Sequence, residues 1–543
     1  MVFARRSTTL LAAIIASCAM VLSLTACTSD NKTVVDGQTT VTSNSAGGVA
    51  VFTPSDGITL NQQMPLNKWA KLVPDLTKAL VDAGFKKGDI NHTTSDSLDK
   101  QSRAIQDFVV DHLSNNTTDD SGIAIAPDNM TLLVAPVVEA DASTRQYGDY
   151  VSQNLSTNDA TDEGATSDGE SSEDDSSKDD SSNTESDSTA SDEQAQAVDR
   201  LVSSLKLAKE SGMHVVLLGN SIEGYKPDAF VKFSDAQTIG KLQAEKMVSK
   251  LKLDKASKDN PKYIEVLLPY TAVDEKGNAN DSTFAQEAFR GIWQVLGSYY
   301  QKGVVESPSG TLDGKSTEND WQAVAYDAAK EGSTAKVLDK RLAKTDGQST
   351  LTRIDGIITM NDYIASEVVK ELDDLGYTGS AADINPQITI SGIVGNITGK
   401  KDLSRDAVPD PIKSPENDNA NDSSSSDDDA DEDTSASDKD RDSQWPLVTG
   451  YGAYVSNIPS IVNGKQWMTG MEDRQTIATD IAQACAKLNK DEALNSMPSI
   501  RSSEVGGVKK IPTISEPLLA VSASNLKSAL IDPGYISLAD AGL

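Results

Sequence analysis

Residues Ile357 to Gly379 read IITMNDYIASEVVKELDDLGYTG. The apolar run that closes at Met360 begins at Ile354 and has the length of a buried strand. Asn361 and Asp362 follow where a helix N-cap is expected, because a side-chain oxygen there accepts a hydrogen bond from an otherwise unbonded N–H of the first turn. Ile364 to Leu375 then reads as a helix, and Gly376 stands where a left-handed C-terminal residue is expected. A strand, a tight polar turn and a helix of this length make half of a parallel strand–helix–strand unit.

The same alternation returns on both sides. Tyr263 to Leu268 reads as a strand, Ala285 to Tyr300 as a helix, Val304 and Val305 as a short strand, Trp321 to Ala343 as mostly helix, and Gln387 to Ile393 as a further strand. Nearer the N-terminus, the strand Val49 to Thr53 precedes a helix from Asn67 to Ala83. Leu72, Leu76, Leu80 and Val81 share one face of that helix, and Gly84 closes it. A polar strand over Asp89 to Thr93 follows, then a helix carrying Ala104, Ile105, Phe108, Val109 and Leu113, and an apolar strand over Thr131 to Val138. The helix Gln196 to Glu210 leads through Gly212 to the strand Met213 to Leu218. Strands alternating with helices imply right-handed crossovers and parallel sheets covered on both faces. LVDAGF (Leu80 to Phe85) and LDDLGY (Leu372 to Tyr377) end their helices alike, as expected of two similarly built halves. The fold class is therefore α/β, with two Rossmann-like lobes joined by a hinge.

Two tracts break this order. Residues 156–195 carry 14 acidic side chains against Lys178 alone, and residues 410–443 carry 13 against Lys413, Lys439 and Arg441. Together they hold 23 of the 33 net negative charges, so the rest of the chain is only mildly acidic. Their composition cannot bury enough apolar surface to offset chain entropy, and both are expected to be disordered insertions. Neither spacing matches an EF-hand calcium loop, and solvated spacers are the expected role. No basic stripe is present, which argues against a nucleic-acid partner.

At the N-terminus, Arg5 and Arg6 precede a charge-free stretch from Leu10 to Leu24 that is too short for a comfortable membrane span. Leu24-Thr25-Ala26-Cys27 then closes the segment. This arrangement resembles bacterial lipoprotein signals, which implies export, removal of residues 1–26 and attachment of a diacylglyceryl group to Cys27. The polar stretch 27–48 reads as a flexible tether. Cys18 leaves with the signal, so Cys485 remains as a lone thiol inside a helix, expected to be a small core residue.

Enzymatic chemistry finds no support. His92, His112 and His214 occupy no metal-binding spacing, and no cysteine–histidine cluster exists, so no metal or other cofactor is expected. GNSIE (Gly219 to Glu223) lacks the second glycine of a nucleophile elbow. Neither a phosphate-binding P-loop nor a dinucleotide fingerprint is present.

Several segments, taken in order, resemble a known family. They are FVKFSDAQTIGKLQAE (Phe230 to Glu245), the opening stretch Ile357 to Gly379, and ITISGIVGN (Ile388 to Asn396). NGKQWMTGMEDRQTIATDIA (Asn463 to Ala482) and EPLLAVSASNLKSALIDPGYISLADAG (Glu516 to Gly542) complete the set. The chain resembles the type I periplasmic sugar-binding proteins of ABC importers, particularly the xylose, ribose and multiple-sugar-binding branch. The resemblance implies a multi-strand hinge. It places lobe 1 at 49–235 plus 470–505, and lobe 2 at 236–469 plus 506–543.

It further implies a non-enzymatic, lipid-anchored, extracytoplasmic receptor that captures a sugar or similar polar solute by lobe closure and hands it to ABC permease subunits. Ligand contacts implied by matching positions are Asn67, Lys68 and Trp69, Asn220, Asp235, Phe284, Asn361 with Asp362, and Glu472. Each has a plainer reading: Trp69 and Phe284 as core, Asn361 and Asp362 as helix caps, Asp235 as a hinge stabiliser, Glu472 as a solvated charge. Two departures stand out. Val394 occupies a position where family members commonly present an acid, and Gly219-Asn220 stands where an Asp-Arg pair is common. Loss of such charge-assisted contacts is expected to weaken or redirect sugar recognition. A ligand sensor or a surface scaffold on the same fold is the alternative.

Overall fold

The computed structural model describes residues 32–35, 38–41, 46–55, 65–115, 125–138, 145–157, 185–273, 279–343, 350–382 and 444–543. The export signal, Cys27, the strand expected over Gln387 to Ile393, Val394 and the tract 410–443 lie outside the described residues. Met1–Asn44 is a unit of its own, in which Lys32–Val35 and Gln38–Val41 pair as an antiparallel hairpin. The stretch expected to be a plain tether thus carries a hairpin. Its β-branched residues flank Asp36-Gly37, a hairpin signature that its polar composition hid.

Within Ser45–Leu543 the described strands form two principal sheets. The first has seven strands in the order Ile500–Val505, Val508–Ser515, Ala229–Lys232, His214–Leu218, Met130–Val134, Gly48–Pro54 and Ile90–Ser95. Every neighbouring pair in it is parallel except the first, which is an antiparallel hairpin. The second has six strands in the order Val305–Glu306, Lys262–Val266, Gly356–Ile358, Leu447–Tyr451, Met468–Met471 and Leu519–Ser522. Only its last pair is antiparallel. The IITM stretch lies inside this sheet, with Ile357 between Glu265 and Val448.

The chain passes between the sheets three times: after Lys232, after Met471 and after Ser515. The last passage corrects the expected boundary at 506, since Val508–Ser515 pairs with Ala229–Lys232 in the first sheet. Turn signals at Gly506-Gly507 mark the hairpin with Ile500–Val505 and not a change of lobe.

Both sheets are covered on both faces. Leu72, Leu76 and Leu80 of helix Trp69–Asp82 share one core with Ile477 and Ile481 of helix Arg474–Leu488. On the opposite face, Ile105 and Val109 of helix Leu98–Asn115 pack with Leu201 and Leu205 of helix Glu185–Glu210. Val81 is 43% exposed and lies off the face expected for it, and Leu113 is exposed to the same degree. Helix Glu185–Glu210 begins eleven residues before the expected Gln196, inside the first acidic tract. Its buried half supplies the nucleus, and adding turns to an existing helix costs little. The rest of that tract, 158–184, lies outside the described residues. The expected long helix over Trp321 to Ala343 is instead Trp321–Val324 and Ser333–Arg341. They are separated by a two-residue strand, Ala325–Tyr326, that pairs with Leu268–Pro269.

Candidate functional site

In open parallel sheets ligands bind beyond the carboxyl ends of the strands, where the connecting loops gather. The predicted site residues follow such ends in both sheets. Asn67 and Lys68 precede the helix after Gly48–Pro54 and Trp69 opens it, and Asn220 follows His214–Leu218. Phe284 opens the helix after Leu268–Pro269, and Asn361 follows Gly356–Ile358. Glu472 lies on the second passage between the sheets, directly after Met468–Met471.

A short segment of the chain itself, Gln146–Tyr150, joins most of these residues. The amide N–H of Asp149 donates to the Asn67 carbonyl oxygen at 2.8 Å. Its carboxylate accepts from Lys68 Nζ at 2.7 Å and from the Trp69 N–H at 3.0 Å. The Tyr150 hydroxyl donates to the Lys68 carbonyl oxygen at 2.5 Å, and its ring meets Trp69 edge-on at 5.1 Å. On the other side, Asn361 Nδ2 donates to Gln146 Oε1 at 3.1 Å, and the Tyr454 hydroxyl donates to the Gln146 carbonyl oxygen at 2.6 Å. The Tyr147 ring lies 4.6 Å from that of Phe284 and 6.2 Å from that of Tyr451. The segment therefore touches Asn67, Lys68, Trp69, Phe284 and Asn361 at once.

The remaining predicted residues have other partners. Asn220 accepts from the Gln153 N–H and donates to the Pro136 carbonyl, both at 2.9 Å, so it fastens the chain just beyond the segment. Asp235 caps helix Ala236–Leu251, accepting from the Thr238 N–H at 2.7 Å, and pairs with Lys232 at 2.9 Å. Burial opposes its ionisation, but the bonds from Thr238 and Lys232 outweigh it and hold its carboxyl below the usual range. Asp362 is wholly buried and accepts from Gln466 Nε2 at 2.7 Å and from the Tyr454 N–H and Thr469 Oγ1 at 2.9 Å each. Burial pushes its pKa up to about 6.

Trp69 is 2% exposed, edge-on to both Tyr150 and Phe233, and so packs within the first lobe. Asn361 caps helix Asp362–Leu375 through the Ile364 N–H while its amide nitrogen reaches Gln146. Met360, just before it, sits at φ 69° although it is no glycine. That conformation costs on the order of 1–3 kcal/mol and sets the direction in which Asn361 leaves the sheet.

Glu472 is 1% exposed, not solvated. Its Oε1 accepts from the Ser234 N–H at 2.7 Å, from the Ser234 hydroxyl, and from the Tyr451 hydroxyl at 3.4 Å. Its own N–H donates to Asn67 Oδ1 at 3.4 Å. The first and second passages between the sheets are thus bonded to each other through Ser234 and Glu472. Burial raises the Glu472 pKa to about 7, against the bonds it accepts. Asn67 is also 1% exposed, and its Nδ2 is buried with no hydrogen-bond acceptor.

Gln146, Tyr147, Asp149, Tyr150, Ser234 and Tyr451 were not among the sequence candidates. The available signal was RQYGDYV (Arg145 to Val151), where two aromatics around a glycine, just before the acidic tract, are out of keeping with a solvated loop. A cavity of about 330 Å³ beside Tyr270, Trp321 and Tyr326 is lined by none of the predicted residues.

No family model and no curated protein matches the chain. Several solved structures are similar. One is an ABC transporter solute-binding protein from Clostridium phytofermentans with bound β-D-glucose, 16% identical, covering 91% of this chain and 99% of that one, with a TM-score of 0.44. A carbohydrate transporter solute-binding protein from Chloroflexus aurantiacus in complex with D-glucose is 18% identical, covering 92% and 98%, with a TM-score of 0.42. A periplasmic ribose ABC transporter protein from Conexibacter woesei is 14% identical, covering 90% and 96%, with a TM-score of 0.41. All three are described as transporter proteins, the first two with D-glucose bound.

Proposed function

We propose that the chain is a solute-binding protein of an ABC importer, tied to the outer face of the cell membrane through Cys27, that captures a sugar or similar polar molecule between its lobes. One observation carries this reading. Loops from the carboxyl ends of two parallel sheets meet, and they bring side-chain amides and aromatic rings of both lobes to a common place. Amides match sugar hydroxyls, and ring faces match the apolar faces of a pyranose or furanose. Asn67 Nδ2 supports the reading. A buried donor without an acceptor costs about 1–3 kcal/mol, which a ligand hydroxyl would recover. The mechanism is hinge closure with a shift of population and needs no covalent chemistry. The three passages between the sheets serve as the hinge.

The lipid and tether would keep the receptor close to two permease subunits and raise its effective concentration there. Mass spectrometry of small molecules released from freshly purified protein tests the reading. A single polar solute is expected, and adding it back at a hundred times its Kd should stabilise the fold by about 2.7 kcal/mol. If nothing is released, and no pentose, hexose or inositol shifts the melting temperature, the uptake reading fails. A sensor or scaffold on this fold is favoured by a different observation: the meeting place is filled by the chain's own Gln146–Tyr150.

A further inference from the structure

We propose that Gln146–Tyr150 is a strap that occupies the cleft in place of a solute and fastens the two lobes, and that an incoming solute must displace it. The displacement step rests on the reading of the cleft as a solute site; the fastening does not. The strap leaves the first lobe after strand Met130–Val134, yet it bonds to the second lobe through Asn361 and Tyr454. Its next residues part company. Tyr150 is buried in the core of the first lobe, whereas Tyr147 and Val151 are buried in that of the second. A segment that inserts side chains into both cores resists their separation.

Its chemistry is that of a solute. An amide and a backbone carbonyl meet the donors of Asn361 and Tyr454, and a ring covers Phe284. Gly148 makes the close approach possible. Its φ is +96°, and a Cβ there would stand 2.5 Å from the Asn67 carbonyl oxygen and 2.8 Å from Asn67 Cβ. Asp149, paired with Lys68, holds the near end, and Asn220 holds Gln153 beyond it.

An intramolecular competitor acts at an effective concentration on the order of millimolar. A solute that binds only the strap-out form has its apparent affinity reduced by the fraction in that form. Two variants weaken the strap in different ways. Gly148→Ala drives it off Asn67, and the double change Gln146→Ala/Tyr147→Ser removes its reach into the second lobe while leaving Asp149 in place.

Small-angle scattering of the full chain without sugar is expected to show a larger radius of gyration for both variants than for the wild type. Calorimetric titration with D-glucose, D-ribose, D-xylose, L-arabinose and myo-inositol is expected to show at least tenfold tighter binding by the variants. Hydrogen exchange of the Asp149 amide in the wild type should speed up when the bound sugar is added. An unchanged radius in both variants overturns the strap. So does wild-type binding that slows exchange at Asp149, since the segment then completes the pocket. Expanded variants that bind none of the sugars leave the fastening intact and refute the solute reading alone.

Discussion

Glu472 and Asp362 are two buried carboxyls whose pKa values rise, from 4.5 to about 7 and from 3.8 to about 6. Burial is the main cause in both. A folded-state pKa above the unfolded value means that the native protein holds its proton longer. The stabilisation is complete below the unfolded pKa and is lost as pH climbs through the folded one. Glu472→Gln removes one of these two titrations. Between pH 4.5 and pH 7 the variant should gain on the wild type by on the order of 3 kcal/mol in urea denaturation. A constant difference across that range would show that Glu472 ionises normally.

Asn361 serves two bonds. Asn361→Ala should cost about 1 kcal/mol through the lost cap, whereas Asn361→Ser keeps a capping oxygen and should restore most of that stability without the bond to Gln146. Urea midpoints of the two variants check this. The cap at Asn361 was legible in the sequence because its partner lies three residues away. The bond between Ser234 and Glu472 was not, because the two are 238 residues apart and only the fold brings them together.

The elements were legible wherever one period ran without interruption. Strands and helices around Ile357 to Gly376 emerge nearly as expected, though strand pairing covers only Gly356–Ile358 of the apolar run from Ile354 to Met360. Apolar runs outlast ladders because loop residues at sheet ends are buried too. The helix expected over Trp321 to Ala343 failed for another reason: Ala325–Tyr326 finds a partner in Leu268–Pro269, a contact that periodicity cannot show.

Helices Ala236–Leu251 and Thr283–Gln301 pack closely at two glycines. A Cβ on Gly240 would stand 2.2 Å from the Ala288 carbonyl oxygen, and one on Gly291 2.0 Å from that of Gln237. Both obstacles are backbone. Gly240→Ala and Gly291→Ala should each destabilise the protein by about 1–3 kcal/mol, despite alanine's better helix propensity. A rise in the urea midpoint for either would contradict this packing.

At the scale of the whole molecule, the alternation of strand and helix foretold two parallel α/β sheets. It left the third passage misplaced, because a hairpin at Gly506-Gly507 looks like a linker in sequence. The cleft was half legible. Residues after strand ends could be nominated on both lobes, but the segment that links them lies beside an acidic tract whose composition pointed to solvent. Its two tyrosines, bridging lobes from a polar stretch, are what the sequence concealed.

The central claim is that the meeting place of the two lobes is a site for a polar solute. Isothermal titration calorimetry with the panel of pentoses, hexoses and inositol, run on the wild type and on Gly148→Ala, tests it most directly. The account predicts saturable binding of at least one member at one per chain, tighter in the variant. Absence of binding by both proteins across the whole panel would contradict it.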